Sequence, residues 1–144
     1  MAHTFTCLYF HIVFGTRLRR RLISSDVRPR LWQYMGGVAR ENHCRALTIG
    51  GMDDHAHLLL SLNPAIAVST AVQHIKAASS AWMTNLTGKD FKWQEGYAAF
   101  TVSLSNLDSV QHYIDRQEEH HRKMDFATEW KLLLEKHGIV LPMR

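Results

Sequence analysis

Read as an extended strand, residues 54–62 (Asp-His-Ala-His-Leu-Leu-Leu-Ser-Leu) sort into two unlike faces, because successive strand side chains point to opposite sides. Ala56, Leu58, Leu60 and Leu62 make one side wholly apolar, while His55, His57, Leu59 and Ser61 fall on the other. Around this stretch the pattern predicts three more strands and three helices. Residues 4–14, rich in aromatic and β-branched side chains, predict a buried first strand. Ser25 as N-cap, Pro29 in the first turn, and Val27, Leu31, Tyr34, Met35 and Val38 at helical spacing predict helix A up to about Asn42. A short strand over residues 46–49, a turn over 50–54 and the histidine strand form a predicted hairpin, which Pro64 terminates. Val68, Val72, Ile75, Ser79, Trp82 and Leu86 mark helix B over 68–86, with Gly88 beyond its end. Residues 97–104 predict a fourth strand. Ser105 with Asp108 three residues on reads as a capping box opening helix C, which runs to about Lys123.

The order β-α-β-β-α-β predicts an α+β fold, ferredoxin-like or RRM-like: a four-stranded antiparallel sheet with helices A and B on one face. Strands 1 and 3 then lie side by side in the middle, and strand 4 is an edge. Since the apolar face of the histidine strand belongs under the helices, His55 and His57 are expected on the opposite, open face, the one RNA-recognition domains use for nucleic acid. Helix C has no place under the sheet and is expected to cover part of that open face. Residues 1–125 are read as one domain, with 126–144 as an apolar-striped tail packing on it.

Composition narrows the setting. A chain of 144 residues is long enough for one domain that folds without staples. Cys7 and Cys44 make no motif and fit a reducing compartment, no stretch of about 18 apolar residues occurs, and the start lacks a signal pattern, so a cytoplasmic protein with no membrane partner is expected. Charge is placed unevenly. Residues 11–45 hold eight arginines (17, 19, 20, 21, 28, 30, 40, 45) against Asp26 and Glu41, a net of +6, so the remainder of a chain with net +4 is −2. A basic block of this kind points toward a polyanion such as nucleic acid.

Two constellations carry candidate chemistry. Histidines at i and i+2 on a strand sit roughly 7 Å apart on one surface, close enough to converge on one metal ion or phosphate. On helix C, Tyr113, Gln117 and His121 lie at i, i+4 and i+8, a stripe of nucleophile, amide oxygen and imidazole with no ordinary core use. A divalent cation such as Mg²⁺ or Mn²⁺ accepts imidazole nitrogens and an amide oxygen, and polarises a phosphodiester as a Lewis acid. A nearby cation also favours the phenolate of tyrosine, which is otherwise only about 0.1% ionised at neutral pH.

His55-Ala56-His57 resembles the His-hydrophobic-His motif, and Tyr113-Ile-Asp-Arg-Gln117-Glu-Glu-His-His the Tyr-x-x-x-Gln helix, of the single-tyrosine HUH transposases encoded by small bacterial insertion sequences. The segment Trp93-Gln94-x-Gly96-Tyr97 and the pair His120-His121 are also similar to the related REP-associated tyrosine transposases. The resemblance implies a strand transferase acting on single-stranded DNA with hairpin ends through a 5′-phosphotyrosine link, without hydrolysis, and a homodimer in which the tyrosine helix can serve the partner. Carried over by position, it implies Tyr113 as nucleophile and His55, His57 and Gln117 as ligands of Mg²⁺ or Mn²⁺. Two departures are Ala56, where bulkier aliphatic residues are common, and Asp53, where proline is frequent. Arg17, Arg19, Arg20, Arg21 and Lys76 are candidate phosphate contacts, and His11 and His121 are candidates to support the ligands from behind. Two other classes compete: a hairpin-binding module of the same fold that does not cut, and a metallohydrolase on His55 and His57, weakened by the lack of an obvious carboxylate ligand.

Overall fold

A computed structural model describes residues 3–141. Its sheet has four antiparallel strands, β1 (Tyr9–Gly15), β2 (Arg45–Gly51), β3 (His55–Ser61) and β4 (Ala98–Val102), in the order β2-β3-β1-β4. Helices α1 (Arg28–Glu41) and α2 (Val68–Thr87) join them in the expected β-α-β-β-α-β sequence. Ile12, Phe14, Ala56, Leu58 and Leu60 of the central strands pack against Leu31 and Met35 of α1 and Val72, Ile75 and Met83 of α2, forming the main core. At the end of α2, Gly88 adopts φ of 71°, the left-handed conformation that closes a helix at little cost for glycine.

The other face of the sheet is closed. The chain after β4 forms α3 (Leu107–Asp115), a single turn α4 (Gln117–His120) and α5 (Phe126–Lys136). The stripe Phe126, Trp130, Leu133 and Leu134 of α5 covers Val13, Ala98 and Phe100, making a second, smaller core. His55 and His57 therefore have no solvent exposure, in contrast to the open face expected from sequence.

Several local expectations are corrected. Helix C is not continuous: it breaks at Arg116, whose φ of −103° and ψ of 21° leave the helical range. The capping box does not form, because a 3-10 turn over Leu104–Asn106 precedes α3 and Ser105 bonds to Ser103 instead. Ser25 does not cap α1, which starts after Val27. Gly50 and Gly51 belong to β2 rather than to the turn. Among the described residues no helix is long and apolar enough to cross a membrane.

Two glycines seat the covering helices. Gly15 pairs with His55 across β1–β3, and Gly50 pairs with His57 across β2–β3. A Cβ at Gly15 would lie 2.7 Å from the Phe126 ring, and one at Gly50 would collide with the Ile114 carbonyl of α3. Polar ties complete the seating: the Thr48 hydroxyl donates to Asp115, and Arg28 pairs with Glu118 at 3.0 Å.

Candidate active site

Strand register sets the floor of the site. Val13 lies opposite His57, and His11 is two residues away on the same strand, so His11, His55 and His57 share one face. The Nδ1 of each strand-β3 histidine is held from behind. Asp54 Oδ1 lies 2.8 Å from His55 Nδ1, and His11 Nε2 lies 2.8 Å from His57 Nδ1, with the His11 and His57 rings stacked 5.0 Å apart. Partners of this kind fix ring orientation and leave both Nε2 atoms directed inward.

The helices supply the roof. Gln117 Oε1 lies 2.9 Å from His55 Nε2 and 3.0 Å from His121 Nε2. Glu129, in the first turn of α5, stands at the centre and is 1% exposed. Its Oε1 lies 2.9 Å from His121 Nε2, 3.0 Å from His57 Nε2 and 3.3 Å from His55 Nε2. Its Oε2 accepts from Gln117 Nε2 at 2.9 Å and from the Tyr113 hydroxyl. His120 Nε2, 3.6 Å from the same oxygen, is buried and finds no hydrogen-bond partner among the described residues. Tyr113, Gln117 and His121 thus meet the histidine strand of their own chain despite the break in the helix.

Charge follows from these contacts. Burial opposes charge on Glu129, but hydrogen bonds from His121, His55 and His57 outweigh it and hold the carboxyl far below its usual range. Burial likewise opposes charge on His55, yet its bonds to Asp54, Glu129 and Gln117 raise its pKa to about 9. Burial prevails over the opposing pull of Glu129 at His57, lowered to about 4, and at His11, lowered to about 3, where the neighbouring His57 adds to it. Tyr113 is pushed well above an ordinary phenol by burial and the Glu129 charge. His55 thus holds a proton more readily than a free imidazole, and the Tyr113 phenol gives one up less readily than a free phenol.

The donor set fits a divalent cation. Adjacent ligands of an octahedral ion with bonds of 2.0–2.1 Å are about 3 Å apart, the spacing at which the imidazole nitrogens and the Gln117 and Glu129 oxygens already stand. Ligand atoms of His55, His121 and Glu129 all lie within 4.8 Å of one another.

The remaining sequence candidates lie elsewhere. Arg17, Arg19, Arg20 and Arg21 are exposed in the loop after β1, beside the start of β3, where Arg21 approaches Asp53 at 3.8 Å. Lys76 sits on α2, on the helix side of the sheet, where its ammonium donates to the Gln94 and Gly96 carbonyls at 2.6 and 2.8 Å and lies over the Phe14 ring. Glu129 and Asp54 were not among the sequence candidates. The signal for Glu129 was present: it interrupts the apolar stripe of Phe126, Trp130, Leu133 and Leu134, so an inward carboxylate follows once α5 is known to cover the sheet.

Comparison with known proteins bears on the family and the fold. The family described as "Transposase IS200 like" matches residues 4–117. The chain is 28% identical over 120 residues to the ISDra2 transposase TnpA of Deinococcus radiodurans, covering 78% of this chain and 85% of that protein. It is 29% identical over 126 residues to the transposase for insertion sequence element IS200 of Salmonella typhimurium, covering 83% and 82%. Its fold is similar to the crystal structure of a putative transposase from Deinococcus radiodurans R1, with a TM-score of 0.65, 22% identity, and 81% and 96% of the two chains covered. It is also similar to a REP-associated tyrosine transposase bound to a REP hairpin, with a TM-score of 0.52, 17% identity, and 97% and 76% covered. With the family matched over most of its length, from β1 through Tyr113 to Gln117, the chain belongs to the IS200-like transposases.

Proposed function

We propose that this chain cleaves and rejoins single-stranded DNA at hairpin-bearing ends, with Tyr113 as nucleophile. The observation that carries this reading is the convergence, within one chain, of the Tyr113 hydroxyl with the inward faces of His55, His57 and Gln117 around a single buried point. The phenol oxygen attacks the scissile phosphorus, the bond to the 3′-oxygen breaks, the proton lost by the phenol is balanced by the one that oxygen takes up as a 3′-hydroxyl, and a 5′-phosphotyrosine link holds the energy of the cut bond. Attack by a 3′-hydroxyl at a new junction reverses the step and returns the proton to Tyr113. His55, His57 and Gln117 would hold Mg²⁺ or Mn²⁺. A cation bound there supplies Lewis-acid polarisation of the phosphoryl group and favours the phenolate.

The chain's own residues do the positioning. Asp54 and His11 keep the imidazoles turned inward, and α3, seated on Gly50, holds Tyr113 above them. Tyr113 lines two clefts, one beside Arg116, Lys123 and His112, the other beside Thr101, Asn106 and Lys136, and these offer a DNA strand a way to that residue. The arginines at 17 to 21 take phosphates of the folded end, whereas Lys76 already shares its ammonium between two carbonyls. A similar fold, in a REP-associated tyrosine transposase, is bound to a REP hairpin, which supports a hairpin partner. The chain works in the cytoplasm, which the absence of any membrane-spanning helix among the described residues allows. A homodimer, as the resemblance implies, would carry two sites each complete within its own subunit.

Incubation with labelled single-stranded hairpin DNA and Mg²⁺, followed by a denaturing gel, tests the reading. A covalent adduct is expected. Tight hairpin binding with no adduct would instead make the chain a binding module that does not cut.

A further inference from the structure

The family match ends at Gln117, and α5 begins at Phe126, yet α5 delivers the residue at the centre of the site. It is not a loose tail. Asp125 caps it by accepting from the Thr128 amide at 2.9 Å, and Phe126 stacks on His55 at 4.2 Å with planes 7° apart. Leu134 is buried against the sheet, and His137 stacks on Phe100 at 3.9 Å. Glu129 is therefore placed by a packed helix whose first residue touches a proposed ligand.

Burying a carboxylate costs several kcal/mol unless it is paired. A structural carboxylate is commonly matched by an arginine or lysine. Every ionic partner of Glu129 among the described residues is an imidazole: His55, His57, His120 and His121. A carboxylate ringed by imidazoles, with no arginine or lysine among its partners, has the composition of a metal site.

Its two oxygens face different tasks. Oε1 stands among the Nε2 atoms of His55, His57 and His121, while Oε2 accepts from the Tyr113 hydroxyl and the Gln117 amide. The second contact also decides which way the Gln117 amide faces: with Nε2 held, Oε1 is turned toward His55 and His121. One side chain thus joins the place of the cation to the place of the nucleophile.

We propose that Glu129 is a working member of the site, its Oε1 an oxygen donor to the divalent cation and its Oε2 the clamp that holds the Tyr113 hydroxyl and Gln117 amide in register. The inference rests on the function proposed above. It makes α5 part of the catalytic unit, although that helix lies beyond the matched region.

The test uses the full chain, with Glu129→Gln and Glu129→Asp, and Mn²⁺ as the probe. Isothermal titration should show Mn²⁺ affinity falling on the order of 10–100-fold in Glu129→Gln. Adduct formation should slow, and hairpin binding in EDTA should stay within about twofold, since phosphate contacts are untouched. Glu129→Asp, with the charge kept on a shorter arm, should recover part of both losses. Thermal melting in EDTA establishes that each variant folds; if Glu129→Gln does not, Glu129→Asp decides by the same two readouts. Unchanged Mn²⁺ affinity overturns the proposal, and so does faster adduct formation, which would make Glu129 a plug. A wild-type chain that binds Mn²⁺ but forms no adduct sinks the strand-transfer reading, and the titration still decides whether Glu129 is a ligand.

Discussion

Gly50 stands directly opposite His57 in the β2–β3 ladder, and its missing side chain is where the Ile114 carbonyl of α3 comes down on the sheet. The helix that bears Tyr113 can approach the histidine strand only because that position is glycine.

Replacing Gly50 by alanine should therefore lift α3. Overpacking of this kind costs about 1–3 kcal/mol, and because the obstacle is backbone rather than a flexible side chain, the upper end is expected. Urea denaturation should show the loss, and adduct formation should fall further than stability alone explains, since Tyr113 moves with the helix. A variant as stable and active as the wild type would mean that α3 does not rest on β2 in solution.

The charge on His55 gives the metal-free protein a signature in pH. Although burial disfavours that charge, the contacts to Asp54, Glu129 and Gln117 raise the folded pKa from 6.5 to about 9. Stability from this group is fully present below pH 6.5 and is lost as pH rises through 9, a contribution of up to about 3 kcal/mol. His11 and His57, lowered to about 3 and about 4, act at the other end: below pH 6.5 the unfolded chain takes up protons that they refuse. Melting temperature in EDTA should peak near pH 6.5, and Asp54→Asn should flatten the alkaline decline. An unchanged slope in that variant would remove Asp54 as the partner of His55.

Much of the architecture was legible in the chain. The two-faced strand at 54–62, the apolar step of α2 and the Tyr113–Gln117 spacing all follow from local periodicity, and the structure packs α2 under the apolar face of that strand and Gln117 against its histidine face. What stayed hidden depended on contacts between distant segments. No glycine or proline marks the break at Arg116; it lies between Asp115, bonded to Thr48, and Glu118, bonded to Arg28. Gly50-Gly51 has turn composition, but Gly50 is where the Ile114 carbonyl of α3 comes down, which only tertiary packing reveals. Glu129 sits within an apolar stripe, and its inward direction follows only from α5 lying over the face of the sheet that carries the histidines.

The basic loop after β1 makes a separate prediction about salt. If Arg19, Arg20 and Arg21 each neutralise a phosphate, replacing all three with alanine should reduce the slope of log affinity against log salt by about 2 for single-stranded contacts and somewhat more for duplex. Filter binding to a hairpin between 50 and 300 mM salt measures it. An unaltered slope returns these arginines to the solvated surface.

Because Tyr113 and Gln117 meet the histidines of their own chain, inactive variants should not rescue each other. Mixing Tyr113→Phe with His57→Ala under subunit-exchange conditions should leave adduct formation at background. Recovery to about a quarter to a half of wild-type activity, the level at which mixed dimers each carry one complete site, would place the tyrosine helix over the partner's sheet.

The most direct measurement is the site of the covalent link. After reaction with hairpin DNA and nuclease trimming, trypsin releases residues 93–116 as one peptide, which contains both Tyr97 and Tyr113. Fragmentation mass spectrometry should place the added phosphonucleotide on Tyr113, and Tyr113→Phe should abolish it while hairpin binding stays within about threefold, since only the nucleophilic oxygen is lost. A nucleotide on Tyr97 or any other residue, or an adduct that survives Tyr113→Phe, would contradict the assignment of the nucleophile.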